Sequence, residues 1–111
     1  MKVKELVEKL ELTVISGTNG LNNEIAKGYS CDLLSDVMGS AQAGDVWITL
    51  QTHKNVMAIA SLKDLSAIIL VKGFRPDADM EAQSNEEDIP VLGTELDTFT
   101  INGMLYNLLN P

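Results

Sequence analysis

The chain is short of cysteine, histidine, aromatic residues and positive charge, and each shortage removes a class of function. One cysteine, Cys31, among 111 residues leaves no internal disulfide, which suits a reducing compartment. One histidine, His53, and the lack of any recognised Cys or His ligand spacing leave no basis for a metal centre. Eight Lys and Arg against sixteen Asp and Glu give a net charge of -8, the wrong sign for holding phosphate backbones or anionic lipid. Nucleic acid and membranes are therefore not expected partners. No apolar run reaches the roughly 20 residues that a bilayer span needs. The opening MKVKELVEKL reads as an amphipathic helix with Val3, Leu6, Val7 and Leu10 on one face, unlike the unbroken apolar stretch of a signal peptide. A cytoplasmic protein is the expectation. There is no phosphate-binding Gly-x-x-x-x-Gly-Lys-Ser/Thr loop, no dinucleotide fingerprint and no internal repeat, so no cofactor is implied.

What is present points to a folded α/β chain. A 45% hydrophobic and 22% charged composition with three Pro suits a compact core, and 111 residues make one domain, 1–111. Val46–Leu50, Ala67–Val71 and Ile89–Leu92 are continuous apolar segments of strand length, the pattern of strands covered on both faces in a parallel sheet. KNVMAIASLKDL between the first two supplies a crossover helix packed through Val56, Met57, Ala60 and Leu62. Between the second and third, RPDADMEAQSNEED predicts a helix with Pro76 at its first position and Asp77 and Asp79 in its positive first turn. Asn85–Asp88 reads as a solvated turn. Thr94 with Asp97 three residues on resembles a capping box opening a last helix that carries Ile101, Leu105, Leu108 and Leu109. In the first half, Leu12–Ile15 and Ile25–Tyr29 read as short strands around the loop GTNGLNNE. A helix over about 32–41 is expected to turn Leu33, Leu34, Val37 and Met38 inward. The expected architecture is three-layer α/β, a mostly parallel sheet of about five strands with crossover helices.

In such a sheet the segments after each strand gather at one edge, beside helix N-termini that attract anions. Ser30, Asp32, Thr49, Gln51, Thr52, His53, Asn55, Lys72, Gly73 and Thr94 fall there and form the candidate ligand-binding set, centred on a crevice between Gln51 and Gly73. Thr52 either caps the crossover helix or shares it with an anion, and Lys72 and Arg75 either supply charge to that anion or are solvated. His53 has a pKa suited to acid–base work if Asp32 lies within reach, but a lone His at a helix start is more simply a polar surface residue. Trp47 fits core or interface better than a stacking platform, and Cys31 fits a small buried thiol. No catalytic residue stands out.

The strings VKELVEKLELTVISG at 3–17, ITLQTHKNVMAIAS at 48–61 and AIILVKGFRPDADM at 67–80 resemble the DRTGG domain, a family related in fold to the N-terminal domain of HPr kinase/phosphorylase. The family pattern places an Asp-Arg pair after the strand ahead of the crossover helix and a Thr-Gly-Gly after the next strand. Here Thr52 and His53 fill the first place, and Val71, Lys72 and Gly73 the second, so only Gly73 is retained. The resemblance implies a regulatory or dimerising module. Such domains accompany phosphotransacetylase catalytic domains and sit between CBS domains in some pyrophosphatases, while small stand-alone members accompany anaerobic redox and hydrogenase genes. Three functions follow: a non-catalytic regulatory homodimer sensing a small anionic metabolite or nucleotide, an accessory module for a redox-enzyme partner, or a small hydrolase or transferase using His53 with Thr49 or Ser30.

Overall fold

The computed structural model describes residues 1–111. The elements run α1 (Val3–Lys9), β1 (Thr13–Ser16), β2 (Gly28–Ser30), α2 (Leu34–Ser40), β3 (Val46–Thr49), α3 (Lys54–Leu62), β4 (Ala67–Leu70), α4 (Ala78–Glu87), β5 (Val91–Gly93) and α5 (Thr98–Leu109), with a short 3-10 turn at Thr18–Gly20. The five strands lie in the order β1-β5-β4-β3-β2. β2 to β5 are parallel, and β1 joins β5 antiparallel with a bulge between Val14 and Ser16.

Alternation along the central strands builds two separate cores. Val46, Ile48, Ala67, Ile69, Val71 and Leu92 face a layer made by α1 and α5 through Val3, Leu6, Ile101 and Leu105. Trp47, Ile68, Leu70 and Val91 face α2, α3 and α4 through Val37, Val56, Met57, Ala60 and Met80. Because both faces are covered, each residue of β3 and β4 is buried, and full burial of an Ile or Met side chain contributes roughly 1.5–3 kcal/mol. The expected three-layer α/β architecture is present. Trp47 is core: it is fully buried, and its indole N–H donates to the Cys31 carbonyl at 2.7 Å.

Several local expectations are corrected. The helix expected over 32–41 spans Leu34–Ser40, and Leu33 and Met38 face outward, 63% and 37% exposed, so only Val37 is buried. Leu62, at the end of α3, is likewise exposed. Pro76 precedes α4 instead of opening it; Asp77 is the cap, accepting from the Met80 N–H. Asn85, Glu86 and Glu87 are helical, because Asn85 Oδ1 accepts the Gly17 N–H at 2.7 Å and so ties α4 to β1. Nearby, Ser16 donates to Ser84, which donates to the Ile89 carbonyl, satisfying two buried hydroxyls. The last helix starts at Thr98 with Asp97 as its cap, while Thr94 serves the preceding turn by accepting from the Leu96 N–H. The strand expected at 25–29 is β2 at 28–30.

Candidate functional site

The parallel strands β2, β3, β4 and β5 end at one edge, and hydrogen bonds divide the candidate residues there into two groups. At the β2–β3 corner, Thr49 closes β3 with its side chain buried. Its hydroxyl donates to Asp32 Oδ1 at 2.8 Å and accepts from the Gln51 N–H at 3.2 Å. The Leu50 N–H donates to the same Asp32 oxygen, also at 2.8 Å. Gln51 Nε2 donates to the Asp32 carbonyl at 2.9 Å, which turns Gln51 Oε1 toward His53 Nε2, 3.2 Å away. Because Oε1 only accepts, His53 Nε2 is the donor in that contact. Nδ1 is buried and has no hydrogen-bond partner. Asp32, Thr49, Gln51 and His53 therefore form one connected network that joins the turn after β2 to the turn after β3.

That network ends at the N-terminus of α3. His53, not Thr52, is the N-cap, and it supplies no side-chain cap, whereas the Asp77 and Asp97 side chains close α4 and α5. The free N–H groups of the first turn of α3, with exposed Lys54 and Asn55, face this corner without a carboxylate cap. Thr52 works through its backbone: its carbonyl accepts the Asp77 N–H at 2.8 Å and fixes the start of α4 to this turn.

The β4–β5 corner is built differently. The Lys72 N–H donates to the Leu96 carbonyl and the Gly73 N–H to the Thr94 carbonyl, both at 2.9 Å, so the two turns are laced together. Gly73 has a φ of 73°, so the turn favours glycine; a Cβ there would stand 2.3 Å from Glu95 Oε2, the far end of an exposed side chain that can swing aside. Lys72 is exposed. The pKa of Asp97 lies below its ordinary value, chiefly because its carboxylate accepts the Thr100 N–H, with Thr100's side chain and the Lys72 charge adding to the effect. Thr13, Ile15, Arg75, Thr94 and Glu95 line a small hollow of 140 Å³ beside Gly73. The single crevice expected between Gln51 and Gly73 is thus two corners. Ser30 belongs to neither, being exposed on the edge strand beside a groove against α5.

The geometry also bears on chemistry. His53 meets Gln51, not Asp32, and the Thr49 hydroxyl is already given to Asp32. A His53 base acting on Thr49 or Ser30 therefore has neither an orienting carboxylate nor contact with its donor. No group of three His, Cys, Asp or Glu side chains is disposed to hold a metal ion, and no helix is long and apolar enough to cross a membrane. Cys31, expected as a buried thiol, is only half-buried, its sulfur bonded to the Leu33 backbone. Two features escaped sequence reasoning: the main-chain N–H of Leu50, which carries no side-chain signal, and Glu95, whose contact with Gly73 needs the turns folded.

Comparison with known proteins places this arrangement. No curated protein sequence matches the chain. Among solved structures, it is similar to the CBS and DRTGG domains of the regulatory region of Clostridium perfringens pyrophosphatase, crystallised with its activator diadenosine tetraphosphate. The TM-score is 0.69 at 16% identity, over 94% of this chain and 45% of that one, so the likeness is one of fold and the chain spans under half the length of that structure. The family description DRTGG domain matches residues 5–108, the whole span from α1 into α5, and the chain belongs to the DRTGG domain family.

Proposed function

We propose that the chain is a non-catalytic regulatory domain that binds a small anionic ligand, of nucleotide class, at the β2–β3 corner. The observation that carries this reading is the α3 N-terminus, left without a side-chain cap beside a pre-ordered network of Asp32, Thr49, Gln51 and His53. A first-turn N–H pair and Lys54 favour an anionic group. The exposed Asp32 carboxylate offers an acceptor for hydroxyl or amine donors, so a ligand carrying both an anion and sugar hydroxyls answers the corner. The activator of the pyrophosphatase regulatory region is of that class, which supports the choice. Asn55 borders this site, while Ser30, Lys72, Gly73 and Thr94 are proposed to shape the edge without touching the ligand. The fold supports regulation and lends nothing to a role beside a redox enzyme.

Calorimetry against diadenosine tetraphosphate, ATP, AMP, acetyl phosphate and citrate tests the reading. Saturable binding of at least one nucleotide is expected, weakened about tenfold by Gln51→Ala or His53→Ala, the loss of roughly one good hydrogen bond. Absence of heat and of any thermal shift across the panel at millimolar ligand rejects the ligand assignment.

A further inference from the structure

We propose that the groove between α5 and the edge of β2 binds an uncharged planar heterocycle presenting a hydrogen-bond donor beside an acceptor, the pattern carried by the amino edge of adenine. The groove has a volume of 360 Å³, at the small end of the roughly 300–1,000 Å³ of ligand sites, and Ile48, Leu105 and Leu109 give it an apolar floor. Gly28 keeps that floor flat. An added Cβ would stand 2.8 Å from Cδ2 of the buried Leu105, so glycine lets Leu105 lie against the strand.

The main chain of β2 forms one wall. Gly28, Tyr29 and Ser30 all line the groove, although successive strand residues point their side chains to opposite faces. Tyr29 packs on the α2 side, with its hydroxyl on Asp36, so it lines the groove only through its backbone. β2 is an edge strand: the Val46 N–H donates to the Lys27 carbonyl and the Cys31 N–H to the Ile48 carbonyl, which leaves its other side without a partner strand. By the parallel pattern the Tyr29 backbone also turns to β3, while the Gly28 carbonyl and the Ser30 N–H turn outward. One residue of an added strand would donate to that carbonyl and accept from that N–H. A heterocycle with an exocyclic N–H next to a ring nitrogen does the same, without the conformational entropy that a peptide gives up. At three residues, β2 offers a peptide too short a ladder.

Charge narrows the occupant further. No carboxylate lines the groove, and its one cation is engaged elsewhere: Lys27 Nζ donates to buried Asp45 at 2.9 Å and lies 5.5 Å from the centroid of the Tyr29 ring, on the α2 side. Asn102, Tyr106 and Asn110, four residues apart along α5 and its end, supply neutral amides and a hydroxyl. An ion entering would give up water without gaining a counter-charge, whereas a neutral ring loses little and covers the apolar floor. The site is separate from the β2–β3 corner and does not rest on it, since Ile48 faces α5 and α3 packs on the opposite face of the sheet.

Amide-resolved NMR titration of the whole chain with 9-methyladenine tests this. Saturable shifts centred on Gly28 and Ser30 are expected, with the Ser30 N–H moving downfield. 6-Dimethylamino-9-methylpurine, which lacks the donor, should bind about tenfold more weakly, roughly the loss of one hydrogen bond. Ser30→Pro deletes the outward N–H where an edge strand admits proline, and should weaken binding as much while circular dichroism and melting stay those of the parent. Should that variant misfold, Asn102→Trp at the half-exposed rim fills the mouth and should abolish binding. Gln51→Ala and His53→Ala, which probe the β2–β3 corner, should leave the affinity for 9-methyladenine unchanged. No shift up to the solubility limit, equal affinity for the dimethylated base, or shifts confined to Asp32–Asn55 would overturn the proposal.

Discussion

An aspartate stands near each end of β3, and the two do opposite work. Asp45, just before the strand, is fully buried; its Oδ2 accepts from Lys27 Nζ and from the Gln42 N–H, both at 2.9 Å. Around it the amino end of the sheet is tied by internal hydrogen bonds: Ser66 Oγ bonds to Glu24 and Gly44 carbonyls, and Asn23 reaches the Ser66 and Asp88 carbonyls. Asp32, at the carboxyl end, is exposed and engages the Thr49 hydroxyl and the Leu50 N–H through one oxygen. A buried carboxylate whose partners are all internal holds the fold. An exposed one, orienting a strand end and a helix start, leaves acceptor capacity for something that arrives from solvent.

The sharpest way to break this contrast is to remove the cation from the amino end. Lys27→Met leaves Asp45 buried and served only by one N–H, with Oδ1 already lacking a partner. Chemical denaturation should show a loss of about 3 kcal/mol, the low end for a severed buried pair because the Lys27 side chain is 54% exposed. A loss under about 1 kcal/mol would show that the amino end is not anchored by charge.

The carboxyl end is itself uneven, and Gly73→Ala separates its closed corner from its open one. With φ at 73°, the substitution should cost about 1–2 kcal/mol in denaturation while leaving any ligand affinity at the β2–β3 corner unchanged. A parallel loss of affinity would mean the two corners act as one site. Asp32→Ala should cost less, about 1 kcal/mol, the low end for a buried donor left without its acceptor, since the Leu50 N–H can turn to water while the buried Thr49 hydroxyl cannot; Asp32→Asn, which keeps an acceptor for both, should cost less still. Calorimetry should nonetheless register Asp32→Ala as weaker nucleotide binding. Equal affinity in that variant would reduce Asp32 to a turn residue.

How much of this was legible beforehand follows from burial. β3 and β4 were readable because strands covered on both faces are apolar throughout, and Trp47 among Val46 and Ile48 was readable as core for the same reason. Which face a short helix buries was not readable, as Leu33 and Met38 show: a seven-residue helix gives too few turns for its period to be counted. Cap choice was misread at Thr94 and Thr52 because several residues able to cap lie within a few positions, and only the folded turn decides which is used. The edge position of the candidate residues was correct, while their division into two corners depends on the backbone lacing of Lys72 and Gly73 to the turn after β5, which leaves no side-chain pattern.

Between the two aspartates, on the neighbouring strand, Tyr29 pairs in register with Trp47 and donates its hydroxyl to Asp36 of α2. That hydrogen bond is the main cause of a pKa raised above 10.0; Ser40 opposes it, and desolvation and the Asp36 charge add to it. A raised folded pKa favours the protonated phenol in the native state. Whatever stability this contributes is therefore complete below the unfolded value near 10.0 and is lost as pH rises through the folded one. Since the ring is only partly buried, the effect should be the smallest of the series. It is best read spectroscopically: in a Tyr106→Phe background, phenolate absorbance should rise at a higher pH than in free tyrosine, and Asp36→Asn should bring it back down. Were the titration indifferent to Asp36, the open edge strand would owe nothing to a tether on α2, and the contrast would rest on the two aspartates alone.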